Sequence, residues 1–477
     1  MIGDRPFIKL FCYLNQHFLY DVKKNDIVEL SYDEYEYLFR SINSGTFSYD
    51  SIKSSSYNRL SQLIDLGYMQ NDYPDIIEHE LTPYMQDYLT KRLQGITLQL
   101  TQNCNFRCRY CSFSGNGYFD RKHNGAMMSK DVAYKAIDFL KNNSSDLRKI
   151  RIGFYGGEPL LNYNLLKETV AYAKKVMPEK ELMFCITTNL SILNDEIIRF
   201  LTENKFNIAV SLDGPQHYHD RYRRFAVDGS GTFSTVYNNL EKIFNYSSKF
   251  FSNYVTISSV VDCDDNVDEL QEFFKQEFIR NARVNFSALD SSKTDFKKNP
   301  TEDFLNSYKE NIFKSLMNNY IQTEGTHIKT NDVLFSNSGD FEELEKNLSM
   351  KTSIKQMHHS GPCIPGHSKM LVDVYGNLFT CEKASSNSST MKIGNLYEGY
   401  DFDKARSLLN VGKLTQENCR KCWAIRFCSA CAINIDNFDT LSKELKLKEC
   451  EITVKKVEEL LKDYVVVKKI KEVQYVY

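Results

Sequence analysis

Between residues 96 and 289 the chain repeats one pattern six times. Short apolar, β-branched runs (ITLQLT, IRIGFYG, LMFCITT, FNIAVSLD, YVTISSVV and RVNFSAL) are separated by segments with helical periodicity, among them SKDVAYKAIDFLKNN, YNLLKETVAYAKKVM, NDEIIRFLTEN and TVYNNLEKIFN. Strands alternating with helices predict right-handed β/α crossovers and a parallel sheet. Six units are too few for the closed eight-stranded barrel. The expected fold class is therefore α/β, an open partial (β/α)6 barrel with its chemistry at the carboxyl ends of the strands.

The sequence has 477 residues, so further domains are expected around this core. Residues 1–92 read as a small separate unit. FIKLFCYLN and HFLYDV pair as strands, and Ser31 with Glu34 has capping-box spacing for a helix through Ser41. A second helix fits SSYNRLSQLIDLGYM, with Gly67 as its stop. Strands plus short helices at this size predict a winged-helix-like module. Its 9 Lys/Arg against 14 Asp/Glu give a charge of −5, which disfavours a phosphate-binding face. Residues 295–360 read as helical and charged, without recognisable chemistry. Residues 363–450 are rich in cysteine, with Gly376 in a hairpin turn (DVYGNLF). A charged helix, EITVKKVEELLKDY, then precedes an alternating tail, VVVKKIKEVQYVY. The expected division is 1–92, 93–330, 331–460 and a tail at 461–477.

Cysteine is the informative residue type. No apolar run is long enough to span a membrane, and the opening MIGDRPFIKLF breaks the apolar stretch a signal peptide needs. These features predict a cytoplasmic protein. Thirteen cysteines then point to metal binding or catalysis rather than a disulfide framework. Seven lie between Cys363 and Cys450 and three form one tight cluster, leaving Cys12, Cys185 and Cys263 scattered. The net charge of −2 gives no reason to expect nucleic acid or a membrane as partner.

The tight cluster is Cys104-Asn-Phe-Arg-Cys108-Arg-Tyr-Cys111, directly after the first strand of the repeat. Three thiolates on one short loop can hold three corners of a 4Fe–4S cubane and leave the fourth iron open. A zinc site is the bland alternative, but the loop lacks a fourth ligand and the spacing fits zinc patterns poorly. Further polar motifs end the next strands. Gly156, Gly157 and Glu158 (GGEP) end the second, Thr188 and Asn189 the third, and Ser211 and Asp213 (SLDG) the fourth. Glycines there allow close backbone approach to a ligand, and a carboxylate suits an ammonium group.

The CxxxCxxC loop, with aromatic Tyr110 before its last cysteine, resembles the radical S-adenosylmethionine (SAM) superfamily. The resemblance implies that SAM chelates the open iron and is cleaved reductively to a 5′-deoxyadenosyl radical. It also implies that Tyr110, Gly156, Gly157, Glu158, Thr188, Asn189, Ser211, Asp213 and Arg223 bind the cofactor. The pattern Cys363…Gly376-x4-Cys381…Cys419-x2-Cys422-x5-Cys428-x2-Cys431…Cys450 resembles the SPASM domain of peptide-modifying radical SAM enzymes. One departure is the two-residue gap before Cys431, where the family usually has three. By resemblance, Cys419, Cys422, Cys428 and Cys450 complete one auxiliary cluster. Cys363, Cys381 and Cys431 then hold a second with one iron free, giving three 4Fe–4S clusters in all. Zinc is again the alternative, although the five-residue gap between the CxxC pairs is shorter than in zinc ribbons.

The three parts together resemble maturases of ribosomally made peptides, in which the N-terminal module grips a precursor's leader by strand addition. The wording LQLTQNCNFRCRYC…FYGGEPLLNY…ITTN…SLDGP is similar to maturases of cysteine-rich peptides, including the thioether-forming ranthipeptide enzymes, over roughly the first 290 residues. The activity implied is thioether crosslinking of cysteine thiols to carbon atoms of a cysteine-rich precursor, with Glu382 as the base for the thiol and a flavodoxin or ferredoxin as electron donor. Carbon–carbon crosslinking and formylglycine formation in sulfatases are the alternative reactions. RNA modification is disfavoured by the acidic N-terminal module, and a zinc-binding protein without catalysis is the non-enzymatic alternative.

Overall fold

The computed structural model describes residues 5–53, 57–111, 123–289, 300–320, 339–349, 355–359 and 363–474. The six expected repeat strands form as β5 (Gly95–Thr101), β6 (Lys149–Gly156), β7 (Glu181–Thr188), β8 (Asn207–Ser211), β9 (Val255–Val261) and β10 (Arg283–Ala288), counted after four earlier strands given below. Each pairs in parallel with its sequence neighbour, with Ile96 opposite Ile152 and Val210 opposite Ile257. Every residue of β5 is buried, as expected for a strand covered on both faces. The crossover helices bury their apolar stripes against the sheet. Lys130–Asn142 contributes Val132, Ala133, Ala136, Ile137 and Leu140 at helical spacing, and Ser129 caps it by accepting from the Val132 amide.

The sheet does not end at β5. After the short β11 (Gln356–Met357), β12 (Met370–Val372) pairs in parallel with β5, and β13 (Asn377–Phe379), β14 (Lys392–Asn395) and β15 (Gly399–Tyr400) follow in antiparallel order. The ten strands run β10-β9-β8-β7-β6-β5-β12-β13-β14-β15 without closing. The cysteine-rich region is thus built onto the edge of the barrel sheet. The hairpin expected at Gly376 is the turn between β12 and β13, where that glycine adopts φ +85°.

The N-terminal unit is an antiparallel sheet of β1 (Ile8–Tyr13), β2 (Gln16–Asp21) and β3 (Asp26–Leu30), followed by helices Tyr32–Ser44, Tyr49–Lys53 and Asn58–Asp65. The capping box forms, with Glu34 N donating to Ser31 Oγ at 3.2 Å and Ser31 N to Glu34 Oε2 at 2.8 Å. The first helix runs on to Ser44, where Gly45 at φ +72° stops it. Side chains alternate across β2, so its two faces serve different cores. Leu19 packs with Leu38, Ile52 and Leu60 of the unit's own helices. Phe18 and Tyr20 join Cys419, Ile425, Phe427, Val457 and Leu461 from the far end of the chain. Beyond the unit, β4 (Ile76–Ile77) pairs with β11.

The alternating tail expected from Val465 onward is corrected. One helix, Lys443–Gln474, runs through it. Val457, Leu461 and Val465 recur every four residues and bury together against the N-terminal sheet. That stripe carries the helix through VVV, because tertiary packing outweighs the modest helix penalty of β-branched residues. Helices Glu302–Tyr320 and Gly339–Ser349 agree with the helical reading of 295–360, part of which lies outside the described residues.

Candidate active site

The Cys104–Cys111 loop leaves the carboxyl end of β5 and is held from two sides. On one side Gly157 N donates to Thr101 O and Glu158 N to Asn103 O, both at 2.9 Å. A side chain at Gly156 or Gly157 would collide with the Thr101 or Asn103 carbonyl, so the glycine pair lets β6 approach the cysteine loop itself. On the other side Arg107 N donates to Arg224 O at 2.8 Å, Arg109 N to Tyr222 O at 3.0 Å and Ala226 N to Asn105 O at 2.8 Å. Phe106, fully buried, packs edge-on against Phe225. The loop is therefore positioned before any ligand arrives.

The thiols face donors. Cys104 Sγ accepts from Phe106 N at 3.4 Å and Asn189 Nδ2 at 3.7 Å, and Cys108 Sγ from Arg223 Nη1 at 3.8 Å. Burial pushes the Cys104 thiol up to about 11 and Cys108 up to about 12, with mutual repulsion involving Cys111 adding to both and Arg223 opposing it at Cys108. Ligation of iron must displace those protons, as thiolate sites generally require. Tetrahedral zinc at about 2.3 Å from each sulfur needs thiols close together. Among the described residues only Asp262, Cys263 and Asp264 bring three ligand atoms within 4.8 Å of one another. The wider spacing of the cysteines suits a cubane, whose thiolates sit on separate irons.

Around the loop, two carboxylates serve the protein's own groups. Glu158 is completely buried. Its Oε1 accepts from Thr188 Oγ1 at 2.7 Å and Leu160 N at 3.0 Å, and its Oε2 from Asn189 N at 2.6 Å. Burial pushes its pKa up to about 7 against these donors. Glu158 thus staples the end of β6 to the end of β7 and orients Asn189 toward Cys104. Asp213 is equally buried and takes Arg223 in a two-pronged contact, Nε to Oδ2 at 2.8 Å and Nη2 to Oδ1 at 3.1 Å. Tyr110 Oη donates to Asp213 Oδ2 at 2.5 Å and Val260 N to Oδ1 at 3.0 Å. The guanidinium also lies 5.2 Å from the Tyr110 ring centre. Ser211 is half-buried at the end of β8.

Residues 98–276 match the family model described as the Radical SAM superfamily. The chain carries a radical SAM domain. It is a radical SAM enzyme, and its family uses SAM and a 4Fe–4S cluster. The radical SAM cyclopropyl synthase TigE of Paramaledivibacter caminithermalis is 24% identical over 80% of this chain and 77% of its own length. A cysteine-type anaerobic sulfatase-maturating enzyme of Clostridium perfringens is 22% identical over 69% of this chain and 85% of its own. The solved structure of anSMEcpe with bound AdoMet and Cp18Cys peptide shares the fold, with TM-score 0.58, 18% identity and coverage of 79% of this chain and 98% of that one.

The seven cysteines between Cys363 and Cys450 fall into two groups. Cys422 is pushed up to about 12 and Cys428 to about 11 by burial, and each is raised further by Cys419 and Cys450 nearby. Cys381 is pushed up to about 11 by burial, then by Glu382, Cys431 and Cys363. Four thiols thus act on one another at one place and three at another. Glu382 lies beside the group of three. Its side chain is 23% exposed, its Oε1 is 3.9 Å from Lys369 Nζ, and its buried Oε2 accepts no hydrogen bond among the described residues. Sequence reasoning missed Lys446, fully buried with Nζ 3.7 Å from Cys419 Sγ. Its signal was present, since Lys446 and Cys450 are four residues apart on one helix.

Glu158→Gln keeps one acceptor oxygen but sets an amide N–H₂ against the donors. Leaving a buried donor unmatched should cost about 1–3 kcal/mol. Urea unfolding of the two proteins at equal iron loading measures it, and indistinguishable stabilities would mean the staple is not needed.

Proposed function

We propose that this radical SAM enzyme is a maturase that installs thioether crosslinks between cysteine thiols and carbon atoms of a ribosomally made precursor peptide. The observation that carries the reading is the gathering of seven C-terminal thiols into a group of four and a group of three beside Glu382. Four thiols complete one auxiliary cluster. Three leave a corner for a substrate thiolate, so that Cys104, Cys108 and Cys111 with these seven account for three 4Fe–4S clusters. When bound, SAM and its cluster supply an organic radical able to take hydrogen from carbon.

The chain's own groups do the rest. Arg223 and Asn189, donating to Cys108 and Cys104, support negative charge on those sulfurs, as hydrogen bonds around metal-bound thiolates do. Tyr110, Ser211, Asp213, Thr188 and the glycine pair shape the cofactor pocket. Glu382 Oε2, buried and without a donor among the described residues, takes the proton of the substrate thiol. Residues 1–92 act as the winged-helix-like leader grip, with an edge strand open to strand addition. The peptide named with anSMEcpe supports a peptide substrate for this fold.

Mass spectrometry of a cysteine-rich precursor, after anaerobic incubation with reconstituted enzyme, SAM and reductant, tests the proposal. The expected result is loss of two hydrogens per event, with matching thiols no longer alkylated. Loss of hydrogens with all thiols free points instead to a carbon–carbon bond. An untouched peptide beside freshly formed 5′-deoxyadenosine means the substrate is wrong.

A further inference from the structure

Lys446 is 1% exposed, in the first turn of helix Lys443–Gln474. Two features of that position oppose a cation. Burying an ammonium costs several kcal/mol unless an anion compensates it, and the partial positive charge at a helix N-terminus repels it. No carboxylate among the described residues lies within 4.0 Å of its Nζ. Its hydrogen bond goes to Cys419 Sγ at 3.7 Å, and its charge also opposes the rise of the Cys428 and Cys450 thiols. The nearby rings of His358 and His359 are held neutral by burial and add no further positive charge. What a buried cation here lacks is a carboxylate at ion-pair distance, and the thiols of Cys419, Cys428 and Cys450 are near enough to supply the anion.

We propose that Lys446 is a positioning residue for the auxiliary cluster on Cys419, Cys422, Cys428 and Cys450, raising its reduction potential through the Cys419 thiolate. The inference rests on the cluster assignment proposed above. Four thiolates give an oxidised cubane a net negative charge, and one-electron reduction adds another. A fixed ammonium in a low-dielectric pocket stabilises both states, the reduced one more. Net charge and hydrogen bonds to sulfur are the levers that set such potentials. The effect favours this cluster as the acceptor of an electron leaving the substrate.

The test uses the full chain carrying Cys104→Ala, Cys108→Ala and Cys111→Ala, so that only auxiliary clusters report. Iron and sulfide are assayed, and the midpoint potential is followed by electron paramagnetic resonance during an anaerobic redox titration. Lys446→Met should load iron as the parent does and titrate at a more negative potential. Lys448→Met, an exposed lysine on the same helix, should not move it. If the methionine variant loses iron, Lys446→Gln, which keeps a donor without the charge, gives the reading and should also shift negative. An unchanged potential in an iron-loaded variant overturns the proposal. So does loss of iron from both variants while Lys448→Met keeps it, because Lys446 is then purely structural. If Cys419→Ala leaves iron content and spectrum unaltered, the cluster assignment itself has failed, a result distinct from either.

Discussion

Cys108→Ala should abolish 5′-deoxyadenosine formation and lower the iron content by one cluster, about four irons, while the auxiliary signals persist. The loop stays in place without that sulfur, because its position depends on backbone bonds to Thr101, Asn103, Tyr222 and Arg224 and on the Phe106–Phe225 contact. The loss should therefore be chemical rather than a consequence of unfolding. Cys12→Ala, an exposed cysteine on the N-terminal sheet, should retain both iron and product. Anaerobic assay of the two variants side by side measures the contrast. Sustained deoxyadenosine production by Cys108→Ala would remove the loop from the chemistry.

The strand repeat and the cysteine loop were the most legible parts of the sequence. Six apolar runs became six parallel strands because they alternate with helices, such as Lys130–Asn142 and Tyr163–Val176, that bury an apolar stripe. The cysteine loop was legible because three thiols at that spacing have few structural reasons to exist. Partners were harder to read. Glu158 and Asp213 stand where ligand-binding carboxylates are expected, yet their oxygens are engaged by Thr188, Asn189, Leu160, Arg223 and Tyr110. Such pairings join residues up to 103 positions apart, and no local pattern encodes them. The continuation of the C-terminal helix past Tyr464 was not legible for a related reason. The tail VVVKKIKEVQYVY is rich in β-branched and aromatic residues that locally favour strand, while the surface that favours helix belongs to β1 and β2 at the opposite end of the chain. That packing ties the N-terminal unit to the segment holding Cys419 and Cys422, with Arg426 Nε donating to Val22 O at 2.8 Å. A peptide gripped by the unit would sit on a platform shared with the auxiliary thiols.

Asp213→Asn should be the most destabilising single change near the site. The pair Asp213–Arg223 is buried, and removing one partner of such a pair leaves a charge without compensation, at a cost of about 3–5 kcal/mol. Tyr110 and Val260 lose part of their acceptor as well. Burial alone would raise the Asp213 pKa, but the Arg223 guanidinium outweighs it and holds the carboxyl below its ordinary 3.8. The sign follows from linkage: an acid whose folded pKa is depressed contributes stability above its unfolded pKa and loses it as pH falls through the folded value. The gap between wild type and Asp213→Asn should therefore be equal at pH 7 and pH 5 and close only in more acidic solution. Urea unfolding at both pH values, on protein with matched iron content, measures it. A gap already narrowing between pH 7 and pH 5 would mean that Arg223 does not hold the carboxylate ionised. Arg223 would then be unable to stay fixed over Tyr110 with a donor on Cys108, and the electrostatic support assigned to the cysteine loop would have to come from elsewhere.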